Sequence, residues 1–136
     1  MTSESAAPLL VRYDDVQVGE TLPVVGFTVT RADVEDYRQS VGSPAPAAER
    51  GDAIATLHLL ALTLAAITDR MPLPATCVHV GQEWSWTDEV RADAEVLVRF
   101  ALMSRRTAGG STLSAFSLHL EAGGREVASG RILLQS

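Results

Sequence analysis

Apolar residues recur at helical spacing in one stretch of the chain, which runs from Asp52 to Arg70. Leucine and alanine fill most of the positions between the recurring ones. The recurring positions are Ile54, Leu57, Leu60, Ala61, Leu64 and Ile67. The pattern predicts a long helix that is apolar nearly all round, which is typical of a buried helix. Its length of roughly 28 Å and its polar interruptions do not favour a membrane span.

Strand and helix signals also precede this stretch. The residues from Thr21 to Val29 are rich in β-branched side chains and predict a first strand. Thr30 and Asp33 have the spacing of a capping box, which predicts a short helix from Arg31 to about Ser40. Two prolines and a glycine predict a loop over residues 41–50.

Four more strands are predicted after the long helix, which the sequence MPLP at residues 71–74 ends because proline cannot continue a helix. Apolar and polar residues alternate in each strand, and the glycine pairs at 109–110 and 123–124 mark turns. The predicted strands run from Thr76 to Trp86, from Ala94 to Arg105, from Thr112 to Glu121 and from Glu126 to Leu134.

The order of these elements predicts an α+β fold in which a strongly bent antiparallel sheet wraps one long central helix. The length suits one domain with its own core. We predict that domain over residues 12–136, after a disordered N-terminal tail over residues 1–11 that is rich in serine and alanine.

Charge and cysteine content restrict the function. The net charge is −6 and all 11 basic residues are arginine, so the sequence argues against a nucleic-acid partner and excludes Schiff-base chemistry on a lysine. Cys77 is the single cysteine, which fits a reducing compartment. The first seven residues have neither a basic nor an apolar region typical of a signal peptide, and we predict a cytoplasmic protein with no membrane association.

Several motifs together resemble the MaoC-like hydratases and dehydratases of the hot-dog superfamily. The first are YDDVQVGE at residues 13–20 and TVTRADV at residues 28–34, followed by Tyr37. The second is VHVGQE at residues 78–83, similar to a family run HxGQ that an aromatic residue, "PV" and "GD" follow. In this chain Glu89 and Ala92 replace the proline and the glycine.

The resemblance covers roughly residues 12–134 and is strongest to the amino-terminal, dehydratase-like halves of double hot-dog proteins. It implies a single hot-dog fold, an acyl-thioester pocket, and a homodimer or a heterodimer with another hot-dog protein. The substrate would be carried on coenzyme A or on the phosphopantetheine of an acyl carrier protein. No other cofactor is implied.

The catalytic residues of that family are not carried over. In active members an aspartate follows the glycine after the short helix, and a histidine lies five positions later. This chain has Ser43 after Gly42, and Ala48 at the histidine position. Ser43 could hold a water molecule, but it cannot act as a carboxylate base. The "AHG" that often starts the long helix reads Ala55-Thr56-Leu57 here.

Other residues at the start of the long helix could supply the chemistry. Backbone N–H groups there are unpaired and could stabilise a thioester oxyanion, so we predict substrate binding at Gly51, Ala53 and Thr56. Asp52 is typical of an N-cap. Alternatively Asp52 and Glu49 form a general base, as the helix-start carboxylates do, by resemblance, in hot-dog thioesterases.

His58 is the third catalytic candidate. It shares a helix face with small residues and is either a core histidine bonded to a carbonyl or an acid–base group in the acyl tunnel. Asp52 lies six residues earlier on a different face, so the two would pair only across a dimer.

Two further groups of residues were considered as binding sites, one for a metal ion and one for phosphate. Cys77, His79 and Glu83 share one face of the predicted strand, but zinc would need more ligands at suitable geometry, so we predict no metal site. Arg105, with Arg99 and Arg106 nearby, is either solvated or binds the phosphates of the acyl carrier.

Three functions follow from these observations. The first is hydration, dehydration or a related addition–elimination at an enoyl or β-hydroxyacyl thioester, by a hydro-lyase with a non-standard site. The second is a non-catalytic subunit that supplies an acyl pocket to a catalytic hot-dog partner. The third is an acyl thioesterase.

Overall fold

The computed structural model describes residues 10–40 and 53–136. Their elements are a 3₁₀ turn (Tyr13–Asp15), β1 (Val25–Thr28), α1 (Arg31–Ser40), α2 (Thr56–Arg70), β2 (Val78–Trp86), β3 (Glu95–Ala108), β4 (Ser111–Ala122) and β5 (Arg125–Gln135). The strands form one sheet in the order β1-β3-β4-β5-β2, and every neighbouring pair is antiparallel. The predicted α+β fold with an antiparallel sheet is confirmed.

The core lies on one face of β3 and β4, where the predicted alternation of apolar residues is confirmed. The inward residues of both strands are at most 4% exposed. They are Val96, Val98, Phe100 and Leu102 in β3, and Phe116, Leu118 and Leu120 in β4. The two glycine pairs make the turns after β3 and β4, and all four glycines have positive φ angles that favour glycine.

The capping box predicted for α1 is present. The backbone N–H of Asp33 donates to Thr30 Oγ1 at 3.1 Å, and the N–H of Thr30 donates to Asp33 Oδ2 at 3.2 Å. These reciprocal bonds satisfy N–H groups that have no partner in the first turn, so α1 begins at Arg31 as predicted.

The long helix differs from the prediction in its start. It begins at Thr56 rather than at Asp52, because the residues before it form an extended segment that pairs with residues after β2. The N–H of Ile54 donates to the carbonyl of Val90 at 2.8 Å, and Ala53 bridges to Arg91. Apolar periodicity does not detect such a pairing, so the prediction that Asp52 caps this helix is wrong.

The buried face of α2 also differs from the prediction. Leu59, Thr63 and Ile67 are its buried residues, spaced four apart, whereas Leu57 of the predicted repeat is 69% exposed. A helix that is apolar nearly all round does not reveal its core face by periodicity, so this error follows from the pattern itself. None of the helices in residues 10–40 and 53–136 is long and apolar enough to cross a membrane.

A bulge in β2 corrects the predicted faces of that strand. Its pairing with β5 shifts between His79 and Gly81, so Val80 is the extra residue. His79 lies opposite buried Leu134, whereas Glu83 lies opposite exposed Arg131 and forms an ion pair with it at 3.0 Å. Positions 131 and 134 face opposite sides of β5. His79 and Glu83 therefore do not share a face.

The same bulge places the two valines and the two tryptophans of β2 in different environments. Val78 and Val80 are 58% and 47% exposed, whereas Trp84 and Trp86 are partly buried against the core cluster. The two indole rings stack with their centroids 5.6 Å apart. β2 and β1 are the two edge strands of the sheet.

Candidate functional site

A cleft of about 1110 Å³ opens where α2 begins. One wall is the end of α1 with Arg38, and another is the end of β2 with Trp86. The cleft is completed by the extended segment with Ala53 and by the first residues of α2, Thr56 and Leu57. Two of the predicted substrate-binding residues, Ala53 and Thr56, thus line the same cleft.

The start of α2 has no side-chain cap. Ala55 is the N-cap residue in an extended conformation, and its methyl group accepts no hydrogen bond. The first backbone bond of the helix joins the N–H of Leu59 to the carbonyl of Ala55 at 3.0 Å. The N–H groups of the three preceding residues therefore have no acceptor within the helix, and they carry the positive end of its dipole.

Arg38 is a residue of this cleft that the sequence analysis missed. Its side chain is only 8% exposed, and its Nη2 donates to the carbonyl of Ala53 at 3.1 Å. A usable signal was present, since Arg38 follows buried Val34 by four residues and so lies on the same face of α1. That spacing places a guanidinium between α1 and the segment that leads into α2.

His58 lies beside the large cleft, in a neighbouring one of about 470 Å³ between β1, α1 and α2. Its imidazole stacks on Tyr37, whose ring lines both clefts. Its Nδ1 atom is buried without a hydrogen-bond partner. Burial lowers the pKa of His58, and the nearby carboxylate of Asp33 opposes that effect. His58 is therefore neutral at physiological pH, the state in which an imidazole accepts a proton.

Two carboxylates line the large cleft on the side of β2, and each has an arginine partner. Asp88 forms an ion pair with Arg125, and Glu89 lies 3.4 Å from Arg91. Exposed pairs of this kind contribute little to stability. Their effect here is to balance negative charge next to the cleft.

Arg105, the predicted phosphate-binding residue, lies elsewhere. Its guanidinium donates to Ser114 Oγ at 3.1 Å and to the carbonyls of Val16 at 3.1 Å and Tyr13 at 2.9 Å. It also lies over the Tyr13 ring, 4.8 Å from the ring centroid. These contacts hold the N-terminal segment on β3 and β4. A role in binding phosphate remains a prediction.

Four predicted site residues, Ser43, Glu49, Gly51 and Asp52, lie outside the described residues. Their part in the site remains a prediction. Of the site residues that the structure describes, it brings Ala53 and Thr56 together in one cleft, places His58 in the next, and places Arg105 under the N-terminal segment.

Comparison with known proteins identifies the fold. No protein-family model matches the sequence, and no curated protein matches it significantly. Among solved structures, the MaoC-like dehydratase from Rhodospirillum rubrum superimposes with a TM-score of 0.77 at 17% identity, over 90% of this chain and 94% of that one. The R-hydratase PhaJ1 from Pseudomonas aeruginosa gives 0.74 at 17% identity, over 90% and 83%. The chain has the hot-dog fold.

A third hot-dog structure is a complex of two chains. The (3R)-hydroxyacyl-ACP dehydratase HadBC from Mycobacterium tuberculosis matches with a TM-score of 0.67 at 16% identity, over 85% of this chain and 96% of that one. Identities this low establish the hot-dog fold for the present chain and nothing finer. The predicted single hot-dog fold is confirmed, and α2 is its central helix.

Proposed function

We propose that this hot-dog protein binds an acyl thioester in the large cleft and adds or removes water at an enoyl or β-hydroxyacyl group. The observation that carries the proposal is the uncapped start of α2, where Thr56 and Leu57 line the cleft with N–H groups that lack helical acceptors. A thioester carbonyl there would receive hydrogen bonds that strengthen as negative charge develops on its oxygen. The similar R-hydratase and dehydratase structures support the same reaction class.

The steps of the dehydration direction define what the site must supply. A base removes the proton from the carbon next to the thioester carbonyl, and the resulting enolate oxygen rests on the helix-start N–H groups. The hydroxyl on the next carbon then leaves as water after it receives a proton. The base candidates are Asp52, Glu49 and His58, of which the described His58 is neutral and has an unpartnered nitrogen.

The second candidate function is that of a pocket-supplying subunit. His58 lies in the neighbouring cleft, and the described lining of the large cleft includes no imidazole. A partner could then supply the acid–base groups, and the similar HadBC structure is itself a complex. The free edge of β2, with exposed Val78 and Val80, would accept a second sheet in either a homodimer or a heterodimer.

One assay series distinguishes the two functions. The purified chain is given crotonyl-CoA and a longer enoyl-CoA, and loss of the conjugated thioester is followed by its ultraviolet absorbance. A parallel assay measures thiol release from saturated acyl-CoA. Wild type is compared with Asp52→Asn, Glu49→Gln and His58→Gln, each first shown to be folded by circular dichroism.

Turnover that one of these substitutions reduces by about 100-fold or more, the usual contribution of a general base, would support the enzyme. Binding without turnover, with activity that appears when a second hot-dog protein is added, would support the subunit. A folded chain that binds no acyl thioester would overturn both.

A further inference from the structure

The guanidinium of Arg38 makes one hydrogen bond within the part of the chain that the structure describes. A guanidinium has five N–H donors. The Nη2 of Arg38 donates to the Ala53 carbonyl, and none of the described carboxylates lies within ion-pair distance of it. With 8% of the side chain exposed, most of this charge is removed from water. A guanidinium that is largely removed from water and has no carboxylate partner among the described residues would bind an anion favourably through charge-assisted hydrogen bonds.

The position of Arg38 indicates which part of a ligand would reach it. The guanidinium lies in the wall of the large cleft, beside the segment that leads to the N–H groups of Thr56. The phosphopantetheine arm of a carrier has no charged group near its thioester sulfur, so an anion that meets Arg38, close to those N–H groups, would belong to the acyl part of the ligand. Because an acyl chain extends from its carbonyl, the group that Arg38 meets would be at the far end of that chain.

Chain length limits the size of that acyl group. Thr56 lies three positions after Ala53, and three steps of extended chain span at most about 11 Å. An acyl chain that joins the two binding points would therefore be short. Leu57 and Trp86 also line the cleft, and their apolar surfaces suit its methylene groups.

The geometry points to a substrate whose short acyl group ends in a carboxylate, which Arg38 binds while the thioester carbonyl lies at the start of α2. This inference rests on the proposed function, because it uses the same cleft and the same thioester. Guanidinium groups bind carboxylates through two parallel hydrogen bonds, which a neutral acyl end cannot form. The ion pairs of Asp88 and Glu89 with arginines reduce the repulsion that these carboxylates would exert on such a substrate.

The test compares two ligands of equal chain length. Glutaryl-CoA and valeryl-CoA both carry five-carbon acyl groups, and only the first ends in a carboxylate. Isothermal titration calorimetry of wild type should give a dissociation constant roughly tenfold or more lower for glutaryl-CoA, as expected for hydrogen bonds between charged groups. Arg38→Gln should abolish that preference while valeryl-CoA binds as in wild type, and Arg38→Lys should keep part of it.

Arg12→Gln is the matched control. Arg12 is an exposed arginine that pairs with Asp15 far from the cleft, so its loss should leave both affinities unchanged. Thermal melts establish that each variant is folded. If Arg38→Gln does not fold, the wild-type preference and Arg38→Lys still decide the question.

The outcomes separate the two proposals. Equal affinity of wild type for both ligands would overturn the carboxylate site and leave thioester binding intact. An equal loss of both affinities in Arg38→Gln would also overturn it, because Arg38 would then contact a part that the ligands share. Failure of wild type to bind either ligand at millimolar concentration would overturn the proposed function as well.

Discussion

The rings of Tyr37 and His58 stack with their centroids 4.2 Å apart and their planes 4° from parallel. Tyr37 comes from α1 and His58 from the first turn of α2, so the pair joins the two helices beside the large cleft. Stacked aromatic groups of this kind contribute roughly 0.5–1.5 kcal/mol beyond the area that they bury. The stack fixes the imidazole and leaves its Nδ1 buried without a partner.

This arrangement predicts a pH dependence of stability. Burial lowers the pKa of folded His58 below its ordinary value of 6.5, so the unfolded chain takes up the proton first as the pH falls. The stability that neutral His58 contributes is therefore complete above about pH 6.5 and decreases below it. His58→Phe keeps the stack and removes the titrating group. Urea unfolding between about pH 5 and pH 8 should show a shallower loss in this variant than in wild type.

The control for that prediction uses the exposed imidazole of His119, which pairs with Glu126 at the surface. His119→Phe removes an imidazole at the surface, and its unfolding is measured over the same pH range for comparison. A His58→Phe profile parallel to that of wild type would contradict the assignment of the pH dependence to His58.

Substitutions of two leucines near the start of α2 should have different effects, one on stability and the other on acyl-CoA binding. Leu59 is 1% exposed in the core, so Leu59→Ala should lower the free energy of unfolding by about 2–5 kcal/mol. Leu57 is 69% exposed and lines the large cleft, so Leu57→Ala should change stability by less than about 0.5 kcal/mol. The second variant should instead weaken acyl-CoA binding in calorimetry.

A large loss of stability in Leu57→Ala would mean that this side chain is covered, for instance by a second subunit. Measuring unfolding at two protein concentrations distinguishes that case, because the stability of a dimer depends on concentration.

The contacts of Arg105 predict that its substitution lowers the stability of the protein, whether or not a ligand is bound. Arg105→Met removes the hydrogen bonds to Ser114, Val16 and Tyr13 and the contact with the Tyr13 ring. At roughly 1 kcal/mol for each of the three hydrogen bonds and about 0.5–1 kcal/mol for the ring contact, the free energy of unfolding should fall by about 3.5–4 kcal/mol. Chemical denaturation followed by tryptophan fluorescence measures this change.

Arg99→Met is the comparison for Arg105. Arg99 lies in β3 as well, but its guanidinium forms an exposed pair with Glu121 at 2.8 Å. Loss of an exposed pair should cost less than about 1 kcal/mol. Equal effects of the two substitutions would contradict the role of Arg105 as the anchor of the N-terminal segment.

Gly130 in β5 predicts a steric effect on the edge strand. A Cβ atom there would lie 2.6 Å from the carbonyl oxygen of Glu83 and 2.7 Å from the indole of Trp84. Gly130→Ala should therefore lower stability by about 1–3 kcal/mol, because β2 must move away. Gly81→Ala is the milder change, since its nearest neighbour is a flexible Leu133 methyl group at 3.3 Å. Thermal melts of both variants test the order.

The strands of the core were predictable because each buries one face, and strict alternation then identifies that face. Val96 and Phe116 are examples, and both are buried as predicted. The capping box of Thr30 and Asp33 was predictable because it is a local interaction with a fixed spacing. These signals are local, and they sufficed for the fold.

The errors arose where distant residues decide the local structure. The helix begins at Thr56 because Ile54 bonds to Val90, a residue 36 positions away that no local pattern reveals. The bulge at Val80 is set by the register of β2 on β5. The burial of Arg38 depends on how α1 packs, and the sequence analysis did not identify Arg38 as a site residue. The candidate site contains Arg38 and the residues just before Thr56, and the structure of both depends on such distant contacts.

The missing cap at Ala55 has a practical consequence for anyone who engineers this protein. Exchanging an N-cap alanine for serine or aspartate usually raises stability by about 1 kcal/mol, so Ala55 is an obvious position for thermostabilisation. The new oxygen would, however, occupy the N–H groups that the proposed function reserves for the thioester carbonyl. In such a variant the new side chain would compete with the substrate for these N–H groups. A screen that selects for melting temperature alone would therefore enrich inactive protein.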